Sequence, residues 1–575
     1  LGELGYASTA TLGDDEPAGA GGELALGGQA VQISAGLHHT CAVLNNGKLR
    51  CWGYGLDGRL GYANVDNIGD DETPASAGDV DVGQSVLSVR AGGAHTCALR
   101  ADLSVLCWGD AAFGELGTGK TATIGDDETP AGGGPAISEL DACVGGAASC
   151  SAHATCSNTF YGFSCTCNVG YTGDGVTCDL APAVVSIAAG AEHTCALTNL
   201  GTVRCWGAAS YGRLGYPGNG TNIGDDETPK SAGEVNVGGT VTQVVAGELH
   251  TCALLSTGGV RCWGSGTQGQ LGYGNTRTVG DDETPASAGD VPLGAKATVI
   301  AAGQYHSCAL LQTGAVRCWG LGTAGRLGYG NTNTIGDNEA PSSAGDVPLG
   351  GAALAITAGR EHTCALLSGG KVRCWGNGVN GQLGYGVVSK SIVGDDEAPS
   401  SAGDVPLGGA AIAIVAGGSR SCAIVSGGKV RCWGSGAFGG LGYGNTRSIG
   451  DDEPPSTAGD VNVGGSVVQL ALGSSHSCAR LDSGSVRCWG YGANGALGYA
   501  STFNVGDATT PTSAGDLQLG GSALQVSAGQ NHSCAVLSSG VKCWGLGALG
   551  RLGYANTTTL GDNESPSSVG FVNLL

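Results

Sequence analysis

Sulfur is the most regularly placed reactive atom in this chain. Cys308 and Cys318 stand with nine residues between them, and the same pair returns as Cys41-Cys51, Cys97-Cys107, Cys195-Cys205, Cys252-Cys262, Cys364-Cys374, Cys422-Cys432, Cys478-Cys488 and, one residue shorter, Cys534-Cys543. Paired thiols can oxidise to a disulfide or hold a metal. A metal is the poorer reading, because no pair has a second Cys pair or an ordered His spacing beside it. Folding Ser307–Leu311 and Val316–Trp319 into a hairpin about Thr313 sets Cys308 opposite Cys318 on one face. At a non-hydrogen-bonded pair the Cα atoms lie about 4.5 Å apart, which a disulfide spans. One staple per hairpin is therefore expected, each contributing about 3 kcal/mol by the chain-entropy argument.

Three other residue types repeat with the sulfur. Gly-Asp-Asp-Glu recurs at 69–72, 125–128, 224–227, 280–283, 394–397 and 450–453, with variants at 13–16, 336–339, 506–509 and 561–564. Asp281, Asp282 and Glu283 offer oxygens to a hard cation such as calcium. The plainer expectation is that Asp caps turn amides and pairs with a nearby Arg such as Arg261 or Arg317. Gly506-Asp-Ala-Thr509 supports it, since one unit manages without the acidic cluster. His95, His193, His250, His306, His362, His476 and His532 precede the first cysteine of their units. They are expected to be structural hydrogen bonders, because Arg420 replaces the residue in one unit without other change. All nine Trp sit in Cys-Trp-Gly and are expected to pack units together before they stack on sugars. A catalytic site is asymmetric, whereas these units offer the same groups many times. No Ser-His-Asp triad or phosphate-binding loop is unique to one place, so no enzymatic activity is expected.

These residues are carried by short strands. Each period holds an apolar strand such as Thr240–Ala246, the stapled hairpin, a Gly-rich turn such as Gly269–Gly274, and an acidic excursion leading to Asp290-Val-Pro-Leu-Gly294. That is roughly four strands per period, the content of one β-propeller blade. No 3.6-residue apolar pattern persists, so the fold class is all-β. The net charge of −23 disfavours a nucleic-acid surface. No run of 18 apolar residues exists, so no membrane span is expected. The 24 Cys all fall in patterned sets, which argues for an oxidising, extracellular or cell-surface location. Leu1-Gly-Glu-Leu-Gly-Tyr6 matches the middle of a unit, so upstream residues with an export signal are expected. Asn219-Gly-Thr221 and Asn556-Thr-Thr558 are candidate glycosylation sequons.

The Ala-Gly-x-x-His-Ser/Thr-x-Ala-Leu, Gly-x-Val-x-x-Trp-Gly and Gly-x-Leu-Gly-Tyr runs resemble the repeats of the regulator-of-chromosome-condensation family. The resemblance implies a β-propeller, most often of seven four-stranded blades. The Cys pair is a departure from that family. Its chromatin and small-GTPase roles are not carried over, because the chain is acidic and fold does not give function. Six Cys at 143, 150, 156, 165, 167 and 178 form a different module. With Cys165-Thr-Cys167 and Gly170-Tyr-Thr-Gly-Asp-Gly175 it resembles an epidermal-growth-factor-like domain. That resemblance implies the pairing Cys143-Cys156, Cys150-Cys165 and Cys167-Cys178. It also implies calcium held by Glu139, Asp141 and Asn158, although Ala142 stands where an acidic residue belongs. The competing reading there is a turn Asn and a solvated linker. Three domains are expected: residues 1–138 with two and a half propeller-type units, the small module 139–180, and a seven-repeat propeller 181–575.

Two functions fit. One is an extracellular structural or adhesive repeat scaffold, with head-to-tail polymerisation of the chain with itself into a surface fibre as its assembled form, because two and a half units leave sheet edges uncovered. The alternative is a secreted propeller that binds or inhibits an extracellular protein through one ring face. That reading requires divergent aromatics, and Phe113, Phe160, Tyr211, Phe438 and Phe503 are the candidates.

Overall fold

The computed structural model describes every residue except 1, 134–142, 144–148, 160–161 and 219. Glu139, Asp141, Phe160, Asn219 and the side chain of Asn158 thus lie outside the described residues. The chain forms two units, Leu1–Leu180 and Ala181–Leu575.

The stapled hairpin has the register its spacing demands. His306–Leu311 runs antiparallel to Val316–Gly320 with Cys308 opposite Cys318, and their Cα atoms are 4.0 Å apart. Gly314 takes φ 81° in the turn, a left-handed value that favours glycine. A third strand, Ala297–Ala302, pairs on the other side of His306–Leu311, and its register slips between Ala297 and Val299. Such a bulge twists the strand and re-aims the side chains after it. The fourth strand is reduced to one rung, Gly320 with Ile335. Gly336 at φ 94° leaves extended geometry immediately after Ile335, so the ladder stops there. In one sheet Ile392–Val393 makes a true fourth strand. The acidic excursions carry single helical turns such as Pro285–Ala288, opened by proline and closed by Gly289 at φ 74°.

Seven such sheets make up residues 181–575, designated blades I to VII. Their middle strands are His193–Thr198, His250–Leu255, His306–Leu311, His362–Leu367, Arg420–Val425, His476–Leu481 and His532–Leu537. Blade VII meets blade I. His532 bonds Thr194, Gln525 accepts from the Ile187 amide, and Trp206 donates to the Arg551 carbonyl. The C-terminal residues lap the seam, where the Leu574 carbonyl accepts from Arg204 and Leu575 from Lys230. The ring is therefore closed. Its core is made of the Trp, Cys and short aliphatic side chains between neighbouring sheets.

The first unit holds two sheets of the same design. Sheet A has strands Ala30–Ala35, His39–Leu44 and Leu49–Gly53, and sheet B has Val86–Ala91, His95–Arg100 and Val105–Gly109. Trp52 and Trp108 lie in their shared core. The small module contributes Ala154–Thr159 paired with Gly162–Cys167, and Tyr171–Gly173 paired with Cys178–Leu180. Its disulfides join Cys143 to Cys156, Cys150 to Cys165 and Cys167 to Cys178. No cysteine is free. Among the described residues, no helix is long and apolar enough to cross a membrane.

Candidate functional site

Six of the seven blade junctions in the ring use one polar relay, and it explains the repeated His. His250 opens the middle strand of blade II and is fully buried. Its Nε2 lies 2.9 Å from the Ser307 hydroxyl of blade III. Ser307 donates its proton to the Gln270 carbonyl of blade II at 3.0 Å, and Trp319 donates to the same carbonyl at 2.9 Å. A hydroxyl has one proton, so toward the imidazole Ser307 can only accept. His250 is therefore the neutral Nε2–H tautomer. Burial drives its pKa down to about 4. Its Nδ1 has no partner because it packs on Gly247, where an added Cβ would stand 2.4 Å from the ring and 2.6 Å from the Gly303 carbonyl oxygen. The same relay links His193 to Thr251, His306 to Thr363, His362 to Ser421, His476 to Ser533 and His532 to Thr194. The cross-strand disulfides face these junctions, with Cys252 Sγ 3.8 Å from the Ser307 hydroxyl.

The loops that precede these histidines, joined in blade V by Ser435, Ala437 and Phe438 after the Trp strand, lie around a channel of about 690 Å³. Charge on this loop face is uneven. Glu192 lies 3.4 Å from Arg213 and 3.9 Å from Arg551, bridging the seam between blades VII and I. Glu361 of blade IV lies 3.7 Å from Arg326 of blade III. Burial raises the Tyr305 pKa, and the nearby Glu248 carboxylate adds to it. Blades V and VI present instead Ser419, Ser474, Ser475, Phe438 and Tyr491. The Phe438 and Tyr491 rings meet at 4.7 Å.

The loop tips hold large residues in left-handed backbone. Tyr211, Phe438 and Leu549 occupy the same place in blades I, V and VII, with φ 62°, 58° and 62°. That region suits glycine and costs a bulky side chain steric strain. Tyr211 is 55% exposed and Phe438 46%.

The structure disperses other candidates. Phe113 and Phe503 are almost fully exposed and belong to neither cluster. All nine Trp are buried, leaving no indole face for a sugar. Arg261 and Arg317 do not pair with the Gly-Asp-Asp-Glu turns. They bond Asp290 at 2.9 Å and Asp346 at 2.7 Å, the aspartates that open the next segment. Each Arg is thus held within reach of a carboxylate 29 residues on. The turns cap themselves, as Asp281 accepts from the Asp282 amide. The carboxylates of Asp281, Asp282 and Glu283 lie within 4.8 Å of one another. Burial, then Asp282 and Asp281, raises the Glu283 pKa to about 7. A retained proton thus answers the crowding of charge. The relay was legible in one signal, the Ser or Thr that follows the His or Arg in every unit.

Comparison with known proteins extends this geometry. The RCC1-like domain family matches residues 170–448. Regulator of chromosome condensation (RCC1) repeats match at 30–59, 467–496 and 524–551 and at 483–536, and an EGF domain at 143–178. The Ultraviolet-B receptor UVR8 of Arabidopsis thaliana is 30% identical over 325 residues, covering 56% of this chain and 68% of the receptor. The E3 ubiquitin-protein ligase HERC2 of Homo sapiens is 30% identical over 362 residues, covering 62% of this chain but 6% of the ligase. Yeast RCC1 (Prp20), in its crystal structure with Kap60, is 20% identical with a TM-score of 0.47, over 64% of this chain and 81% of that one. With its repeats matched along the chain and a 30% identical relative covered over 68% of its length, this protein belongs to the RCC1-repeat family, and it carries an EGF domain between its two sets of repeats.

Proposed function

We propose that this chain is an extracellular scaffold that holds a protein partner on the loop face of its seven-bladed ring. The strained tips carry the reading. Left-handed backbone at a bulky residue costs on the order of 1–3 kcal/mol. Tyr211, Phe438 and Leu549 keep it where glycine would relieve it, and two of the three side chains are about half exposed. A further support is the burial of the relay, which leaves the neutral histidines no access to a substrate. The 24 paired cysteines and the EGF domain support the extracellular setting. The ligase activity of HERC2 is not carried over, since this chain spans so little of that protein.

The test exploits the strain. A Tyr211→Gly/Phe438→Gly double variant accepts the left-handed backbone and folds at least as well as the wild type. Immobilised full-length protein is exposed to the surroundings of the producing organism, and bound proteins are identified. The wild type is expected to retain a partner that the double variant loses. Equal retention by both sinks the reading.

A second reading, head-to-tail assembly of the chain with itself, is favoured by sheet A. Ile33 there is 61% exposed, whereas its counterpart Ile187 in the ring is 2% exposed. Sedimentation that depends on concentration in the wild type but not in Ile33→Asp would support it; monomers throughout would remove it. Calcium is proposed only for the small module, at Glu139, Asp141 and Asn158. Calorimetry without heat on adding calcium would discard it.

A further inference from the structure

Blade V breaks the relay in one place. Arg420 opens its middle strand where the other blades have His. Ser421 is retained because His362 of blade IV bonds it at 2.8 Å. Arg420 is 2% exposed. Its Nη2 donates to the Gly473 and His476 carbonyls of blade VI at 2.8 and 3.0 Å. Its Nε–H has no partner. The guanidinium lies against Gly440, which stands where other blades carry Arg213, Arg326 and Arg551. A Cβ on Gly440 would fall 2.2 Å from Arg420 Nη1, so the glycine makes room for the arginine.

The counter-charge is what differs. Arg213 and Arg551 are balanced by Glu192, and Arg326 by Glu361. In blade V the position of Glu192 and Glu361 is held by Ser419, followed in blade VI by Ser474 and Ser475. Among the described residues, no carboxylate pairs with Arg420. A buried cation without a counter-charge is unfavourable, and neutral carbonyls offset only part of that cost. Arg420 lines the channel with Ser419, Ser435, Phe438 and Ser474. The channel wall at this blade therefore offers hydroxyls and small residues beside a buried guanidinium that has no counter-charge.

We propose that Arg420, with Ser419 and Ser474 beside it, forms a site in the channel wall for a small free oxyanion of the carboxylate class. A carboxylate held there beside the guanidinium would supply the charge that Glu192 and Glu361 supply elsewhere. The site does not depend on the identity of any protein partner.

The probe is acetate. Thermal unfolding of the full chain is followed in rising sodium acetate against sodium chloride at equal ionic strength. The wild type is expected to show a saturable rise of about 2 °C in acetate. Arg420→His removes the cation and restores the residue of the other blades, and its response should be flat. Ser419→Glu puts a carboxylate where Glu192 and Glu361 stand. It should unfold at higher temperature than the wild type in chloride and gain nothing from acetate, and it carries the test if Arg420→His folds poorly. A flat wild-type response overturns the proposal, as does a rise in Ser419→Glu equal to that of the wild type.

Discussion

Sheet B and the ring blades are written in the same residues but live in different surroundings. His95 opens its strand as His250 does, yet it is only half-buried, and no described hydroxyl meets it. Cys97 is half-buried too, and Cys107 keeps 7% of its surface, while Cys252 and Cys262 retain 1% and none. Sheet B receives a neighbour on one side, where Thr96 accepts from His39 and donates to the Arg59 carbonyl. On the other side it supplies donors to nothing described. A blade is therefore finished by the sheet that follows it. The staple stabilises the hairpin, and the junction shields the staple.

The largest contrast is in sulfur chemistry. Mild thiol treatment without denaturant, followed by alkylation and peptide mapping, should label Cys97 and Cys107 at least about 100-fold faster than Cys252 and Cys262, since the ring sulfurs react only after a blade opens. Equal rates would break the comparison.

Acid should act on the ring next. The buried His250 and His362 hold pKa values near 4, below the 6.5 of an unfolded chain. Below 6.5 the unfolded state binds more protons, so this stability is full above 6.5 and is lost as pH falls toward 4. The loss is on the order of 3 kcal/mol per histidine. Unfolding curves from pH 7 to 4 check this, and His250→Gln should make the slope shallower.

A backbone test sharpens the same point. Gly247→Ala meets the Gly303 carbonyl of the next blade as well as His250, and should cost about 1–3 kcal/mol. At Gly92→Ala the three nearest atoms all belong to the His95 ring, which can turn aside, so the cost should be less than about 1 kcal/mol. Denaturant titration of the two variants compares them.

The smallest effect belongs to the acidic turns and has the opposite sign. Glu283 holds its proton up to about pH 7 in the folded chain against 4.5 unfolded. Its contribution is therefore full below 4.5 and is lost as pH rises through 7. The group is half-buried and solvent still screens part of its charge, so Glu283→Gln should flatten that slope by less than about 1 kcal/mol. Melting temperatures at pH 5 and 8 measure it.

Much of this was readable from residue spacing. A turn at Thr313 forces Cys308 against Cys318, because strand side chains alternate and the pair is equidistant from the turn. The Trp of Cys-Trp-Gly announced the packing layer. The partner of Arg261 was not readable from composition alone: the chain places acidic groups on two segments, and only the folded path of the excursion brings Asp290 to the guanidinium. The fourth strand was overestimated because Ile335 and its neighbours look extended until Gly336 turns the backbone away. The isolated charge of Arg420 was hidden for another reason. One substitution in a repeat reads as tolerance, and its missing counter-charge shows only once Ser419 is set beside Glu192 and Glu361.

The relay has a direction. Each imidazole gives its proton to the next blade, and the last gives to the first through Thr194. A circle of like handshakes has no natural beginning. A permuted gene, opened between any two blades and joined across the present seam, would present every junction with the partners it has now. Such permutants should refold into the same ring, with the blade V joint as a landmark by which one starting point differs from another.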